Sequence, residues 1–382
     1  MLSAPAFGQT TAIDWPDKGV DFFGQGNYIE AIRAYIRATE LNPDTWNNKG
    51  IVLHDQGKYD EAIKAYDRAI EIDPQSAGYW NNKGNAFHGQ GKLDEAIQAY
   101  EKAIEIDPNL VETWSDKGVA LAILGKYDEA IQALDEAIRL NPKYAAAWNN
   151  KGLALSQQGK YNESIEAFNE GIRLDSNDAL AWTGKGLSII SQGKYDDALK
   201  SLDEAIRLDP GLAVAWNIKG NVLISQGKYD EALKACEEAI RLDPTFADAW
   251  YGKGNALYDQ GKYDESMKAY DEAIRLDPID SYAWVGKGNA LDSLGEYDEA
   301  IKAYDEAIGL DHTFADAWYN KGLALMLHGN YDEALQAFDV AIELNPQFAK
   351  AWGGKAFTLQ SLDRTTEANA AFARAEVLGF KG

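Results

Sequence analysis

Basic surface, cysteine and long apolar runs are what this sequence is short of. Its 382 residues include 61 Asp or Glu against 37 Lys or Arg, a formal net charge of −24. A chain so acidic has no general basic surface for nucleic acid or an anionic membrane. The single cysteine, Cys236, excludes an intramolecular disulfide framework. No apolar run approaches the roughly twenty residues a spanning helix needs, so no membrane insertion is expected. There is no glycine-rich phosphate loop after a strand, no CxxC and no HExxH. The sequence therefore implies no enzyme, no cofactor and no metal centre. The start, "MLSAPAFGQTT", lacks the charged n-region and full apolar stretch of an export signal, although "APA" resembles the end of one. Residues 1–11 read as a trimmed signal or as a plain tail, which leaves cytoplasmic and exported locations both open.

What is present is tryptophan at a fixed interval. Trp46, Trp80, Trp114, Trp148, Trp182, Trp216, Trp250, Trp284, Trp318 and Trp352 follow one another every 34 residues, and Trp15 precedes Trp46 by 31. Every tryptophan marks one unit of an internal repeat. Eleven units fill residues 12–382 as one array, which leaves no stretch for a separate catalytic domain.

Each unit reads as two helices. In "AWNNKGLALSQQGKYNESIEAFNEGIRLD", Trp148, Gly152 and Leu155 share one helical face. Gly159 is expected to end the first helix. Asn162 is expected to cap the second, as Asp does in the "KYDEA" of other units. Ile165, Phe168, Gly171, Ile172 and Leu174 form the core face of the second helix, and a proline such as Pro142 or Pro210 follows in most units.

This pattern resembles the tetratricopeptide repeat (TPR) along essentially the whole chain. One full copy is Trp216, Gly220, Leu223, Tyr229, Ala232, Cys236, Ala239 and Pro244. The resemblance implies an all-α solenoid, with antiparallel helix pairs stacked into a right-handed superhelix whose first helices line a groove. It also implies close helix approach at Gly220, opposite Ala232. The chain departs from the family at the residue before that glycine, where the family's usual leucine is lysine in all eleven units, from Lys18 to Lys355. Such a row is either a set of packed stems with paired ammonium groups or a cationic stripe for an anionic ligand; the packing role is favoured. The ends read as capped: Asp21, Asn369 and Glu376 are polar where inner units are small or aliphatic, and Ala356 and Asp363 replace glycines.

The groove residues should be those one, two, five, eight and nine positions after each tryptophan. None of them is Lys or Arg. TPR domains that clamp acidic tails need basic residues there, so anionic and phosphate-rich ligands are disfavoured. Asparagine is there instead. Asn47, Asn81, Asn149 and Asn217 stand one after the tryptophan, Asn48, Asn82, Asn150 and Asn320 two after, and Asn85, Asn221, Asn255 and Asn289 five after. Twelve of the chain's 22 asparagines thus occupy three offsets, although asparagine is a mediocre helix former. An amide both donates and accepts, so a row of them suits extended peptide backbone; rows of this kind do so in the family. The plainer alternative is a neutral, soluble face. Tyr251, Tyr258, Tyr282 and Tyr319 add sites for apolar or aromatic side chains. His54 and His88 stand eight after consecutive tryptophans with Asp55 nearby, too few ligands to imply a metal site. Cys236 replaces a core residue and reads as a buried thiol. The sequon Asn162-Glu163-Ser164 matters only on export.

The expected function is a non-enzymatic scaffold binding an extended polypeptide or a partner protein's surface in this groove. The alternative is a self-associating structural protein, a homo-oligomer or filament, with insertion of the N-terminal tail as one route.

Overall fold

The sequence repeats a helix-forming phrase twice per unit, and the structure follows it. The computed structural model describes residues 14–37 and 42–381. The N-terminal tail, and with it any tail insertion, lies outside the described residues. Among the described residues every regular element is an α-helix, and there are twenty-two. They fall into two units divided between Lys194 and Tyr195. The first unit holds α1 (Asp14–Gly24), α2 (Tyr28–Arg37), α3 (Pro43–Asp55), α4 (Tyr59–Ile72), α5 (Ala77–Gly89), α6 (Leu93–Ile106), α7 (Val111–Ile123), α8 (Tyr127–Leu140), α9 (Ala145–Gln157), α10 (Tyr161–Leu174) and α11 (Ala179–Ile190). The second holds α12 (Tyr195–Leu208), α13 (Ala213–Ser225), α14 (Tyr229–Leu242), α15 (Ala247–Asp259), α16 (Tyr263–Leu276), α17 (Ser281–Leu294), α18 (Tyr297–Leu310), α19 (Ala315–His328), α20 (Tyr331–Leu344), α21 (Ala349–Ser361) and α22 (Thr365–Val377). Within each unit consecutive helices pair, α3 with α4 and α13 with α14 for example, and each pair packs on the next.

The turn inside each pair is made by glycine. Gly57, Gly91 and Gly159 have φ of 70°, 73° and 84°, a region that costs a Cβ-bearing residue energy. In the last repeat Asp363 takes this place at φ 56°, within the tolerance of a short polar side chain. The second helix does not start as the sequence suggested. It begins at the tyrosine, Lys160 stands at the cap position of α10, and no side-chain capping bond forms there. Asn162 instead accepts a hydrogen bond from Gln192 of the next repeat at 2.8 Å. Gln90 to Asp60, Gln158 to Asp128 and Gln226 to Asp196 repeat the bond. The expected capping residue is therefore a link between repeats, because inside the first turn its side chain points away from the helix end.

Each second helix buries small residues around one large one. In α4 these are Ala62, Ala65 and Ala69 around Tyr66, all at 2% exposure or less. The large side chain fills the space left by the repeat glycine: a Cβ on Gly50 would lie 2.4 Å from the Tyr66 ring. In α16, Tyr270 is held between Gly254 of its own repeat and Gly286 of the next, with hypothetical Cβ atoms 2.5 and 2.6 Å away. At Gly220 the nearest contact is Cys236 Sγ at 2.6 Å rather than Ala232, whose carbonyl oxygen is at 3.4 Å. The glycine is thus required mainly by the large residue. Cys236 is fully buried, and burial raises its thiol pKa to about 12, so it packs and does not react.

Trp148 Nε1 donates to the Pro142 carbonyl at 3.2 Å, and Trp80, Trp114 and Trp216 bond the carbonyls of Pro74, Pro108 and Pro210 in the same way. The tryptophan thereby ties the first helix to the linker that precedes it. At the C-terminal end Asn369 and Glu376 are exposed while Ala368, Ala371 and Ala375 face inward, and Asp21 is exposed at the other end.

Candidate functional site

The lysine row is committed to structure. Lys151 Nζ lies 2.6 Å from Asp135, and Lys83, Lys117, Lys219 and Lys321 pair with Asp67, Glu101, Asp203 and Asp305 at 2.6–2.9 Å. Each acid lies on the second helix of the preceding repeat. The same ammonium groups stand 5.2–5.6 Å from the ring centre of their own tryptophan. This is why lysine follows tryptophan by three. Where the preceding repeat offers Asn169 in place of an acid, Lys185 still sits over Trp182 at 4.8 Å, and burial lowers its pKa.

The asparagines are largely committed too, which corrects the expectation of amides free in a groove. Those two after the tryptophan reach back one repeat: Asn82 Nδ2 donates to Asn47 Oδ1 at 2.9 Å, Asn150 Nδ2 to Ser115 Oγ at 3.1 Å and Asn320 Nδ2 to Asn289 Oδ1 at 3.1 Å. Asn81 Oδ1 accepts from Thr113, and Asn149 Nδ2 donates to Asp178 at 2.8 Å. Those five after the tryptophan accept from the large residue of their own repeat: Tyr100 to Asn85 at 2.7 Å, Tyr270 to Asn255 at 2.7 Å and Tyr304 to Asn289 at 2.8 Å. The position one after the tryptophan is also not exposed. Asn149 and Asn217 are 8% and 5% exposed, because adjacent first helices close over them. The Oδ1 atoms of both are buried without a hydrogen-bond partner. Asn221 is exposed and Asn48 half-buried, and neither amide is bonded among the described residues.

Of the tyrosines, Tyr251 and Tyr319 lean on the core rings of Tyr270 and Phe338, with centroids 5.9 and 6.0 Å apart. Tyr258 shares a hydrogen bond with Ser293 at 3.3 Å, and Tyr282, 60% exposed, packs on Phe314.

In the first unit the first-helix face contains a cavity of about 370 Å³, lined by His54, Tyr59, Asn85, His88, Gly89, Tyr100, Asp116 and Val119. α3, α5 and α7 supply most of the lining, with Tyr59 and Tyr100 from α4 and α6. His88 Nε2 is buried without a partner. His54 Nδ1 is 3.5 Å from Asp55, and its ring meets Tyr59 edge-on. Burial, with a further push from Glu112, raises the Asp116 pKa to about 6. The sequence pointed to both histidines but not to Asp116, whose only sign is a carboxylate on a face without lysine or arginine. Among the described residues no three His, Cys, Asp or Glu side chains converge as a metal site would require, and no helix is long and apolar enough to cross a membrane.

The profile of the tetratricopeptide repeat matches five overlapping segments, residues 153–213, 183–245, 219–281, 251–313 and 285–349. A profile described as the Cilia and flagella-associated protein 70 C-terminal domain matches residues 22–181. No curated protein sequence matches the chain. Among solved structures, a tetratricopeptide repeat protein from Parabacteroides merdae aligns at TM-score 0.55 with 19% identity, over 64% of this chain and 98% of that one. A chain of the APC/C hetero-tetramer Cut9–Hcn1 aligns at TM-score 0.54 with 14% identity, over 97% and 94%. YrrB, described as a TPR protein with an unusual peptide-binding site, is 28% identical over 49% of this chain and 96% of its own, at TM-score 0.40. The first two likenesses show the fold.

Proposed function

Because the chain belongs to the tetratricopeptide repeat family, we propose that it is a non-enzymatic interaction scaffold and that it takes an extended polypeptide on its first-helix face. The reading treats residues 12–382 as one array of eleven repeats. The observation that carries it is the half-used amide. Asn85 and Asn289 each spend Oδ1 on a tyrosine hydroxyl, and among the described residues no bond engages either Nδ2. Asn48 and Asn221 add whole amides. Donors of this kind match the carbonyls of an extended backbone. No Lys or Arg stands on this face to recruit phosphate or an acidic tail.

Panning a randomised decapeptide library on the full chain tests the reading. Selected peptides should bind with Kd below about 100 µM, and N-methylation of their backbone should weaken them more than reordering their side chains. Recovery of no binder, or binders indifferent to N-methylation, would overturn it. Light scattering addresses self-association: an oligomer that dissolves when residues 1–11 are removed would favour tail insertion instead.

A further inference from the structure

The first-helix face of the first unit changes character along its length. At α3, α5 and α7 it carries the cavity with Asp116, His88 and the rings of Tyr59 and Tyr100. Among the described residues Asp116 has no ion-pair partner, and its charged neighbour Glu112 is of like sign. His88 Nε2 is a buried atom with no hydrogen-bond partner. The lining thus offers a carboxylate and two aromatic walls, beside an imidazole whose buried nitrogen has no partner of its own. A planar, many-donor cation satisfies all of these at once.

Beyond the cavity the same register turns apolar. Five residues after successive tryptophans stand Val119 on α7, Leu153 on α9 and Leu187 on α11. Val119 lines the cavity, while Leu153 and Leu187 are 47% and 42% exposed. Ile123, one turn from Val119, is 59% exposed. α7 packs directly on α9, and α9 on α11. Packed helices stand about 8–10 Å apart. A polyproline II chain rises about 3.1 Å per residue with three residues per turn, so every third side chain faces the same way about 9 Å further on. A β-strand would turn alternate side chains away.

Building on the peptide-scaffold reading, we propose that the first unit recognises a polyproline II segment in which an arginine enters the Asp116 cavity and two apolar side chains, three and six residues away, rest on Leu153 and Leu187. Charge complementarity selects the arginine, and the helix repeat sets the spacing.

Fluorescence anisotropy with the full chain and labelled synthetic peptides tests this. The probes are Arg-Pro-Pro-Leu-Pro-Pro-Leu and its reverse order, so that both chain directions are tested. The better of the two should lose at least roughly tenfold in affinity when citrulline replaces arginine, or when the protein carries Asp116→Asn, as expected for a hydrogen-bonded charge. Arg-Pro-Leu-Pro-Leu, with the spacing changed, should bind several-fold more weakly. Leu187→Asn should weaken the heptapeptide too. Circular dichroism melts check that each variant is folded, and the two substitutions lie on different helices, so misfolding of one leaves the other to decide. Equal binding of the citrulline probe, or indifference to both substitutions, would overturn the proposal. Failure of both heptapeptides while library peptides bind would sink this inference and leave the scaffold reading intact. Failure of every peptide would sink both.

Discussion

Asp135 Oδ1 accepts a hydrogen bond from Lys151 Nζ at 2.6 Å across the boundary between two repeats. The lysine side chain is 22% exposed and the aspartate 52%, so the charge pair is largely solvated while the stem is packed over Trp148. A pair this exposed contributes about 0.2–1 kcal/mol, and the packed stem contributes independently of charge. Lys151→Met should therefore lower the stability of the full chain by no more than about 1 kcal/mol in urea unfolding. Lys151→Ala, which removes the stem, should cost more. Equal losses in the two variants would make the charge the main contributor and refute this division.

The bond from Tyr100 to Asn85 suggests a double-mutant cycle. Tyr100→Phe alone leaves a half-buried amide oxygen without its donor, and Asn85→Val alone strands a buried hydroxyl. Each should cost about 1–3 kcal/mol, because an orphaned buried group loses its full solvation. The double variant recreates an apolar pairing like Leu153 with Phe168 and should recover about 1 kcal/mol of the summed loss. Additive costs would show that the two residues are not coupled.

That pairing was legible in the sequence, though it is easy to pass over. In three of the five repeats whose large core residue is tyrosine, at Tyr100, Tyr270 and Tyr304, the residue fifteen before it is asparagine, while Tyr35 and Tyr66 have Val20 and Ile51 there. Where it is Leu134, Phe168, Leu202 or Phe338, that residue is Val119, Leu153, Leu187 or Leu323. Asn85, Asn255 and Asn289 are thus chosen at least in part by a hydroxyl beneath them. Reading one offset at a time gives a ladder for a ligand; reading two offsets together gives a core hydrogen bond. Helix pairing, the turn glycines and the tryptophan register follow from period alone, because each is a local demand repeated eleven times. The Asp116 cavity does not. It depends on side chains from three neighbouring repeats that differ from the consensus, and a period averages such differences away.

Asp116 also sets a pH dependence. Its pKa is raised in the folded chain from 3.8 to about 6, chiefly by burial. Between those values the unfolded chain has released the proton and the folded chain still holds it, so this group makes stability fall as pH rises through the window. The full effect is roughly 3 kcal/mol, since one pKa unit corresponds to about 1.4, and about 2 kcal/mol of it falls between pH 4 and pH 7. Asp116→Asn removes it. The variant should gain about 2 kcal/mol relative to the parent chain on going from pH 4 to pH 7, measured by urea unfolding at both. A constant difference across that range would mean the carboxyl titrates normally.

The last prediction concerns Asn149 and Gly171. The other full repeats have alanine at the place of Gly171, as at Ala103, Ala137 and Ala239. A Cβ on Gly171 would stand 1.8 Å from Asn149 Oδ1. Two effects therefore compete in Gly171→Ala. Alanine favours the helix by about 0.8–1 kcal/mol over glycine. Against this, the Asn149 amide must swing aside and give up its hydrogen bond to Asp178, which is 2.8 Å long and assisted by the aspartate charge. Such a bond is worth about 1.5–3 kcal/mol when buried, and less at this partly exposed helix end. The clash itself is inexpensive, because the offending atom is the tip of a flexible side chain. Repeats that keep alanine show where the amide goes: Asn81 turns to Thr113, and the Asn217 oxygen lies 3.2 Å from the Cβ position of Gly252. Gly171→Ala alone should thus be neutral or destabilising by up to about 1 kcal/mol in urea unfolding. Combined with Asn149→Ser, which shortens the side chain, the same change should stabilise by about 0.8–1 kcal/mol relative to Asn149→Ser alone. If the alanine stabilised both backgrounds equally, Gly171 would not be the space that Asn149 requires, and the first of the two adjacent asparagines would have no packing partner to account for it.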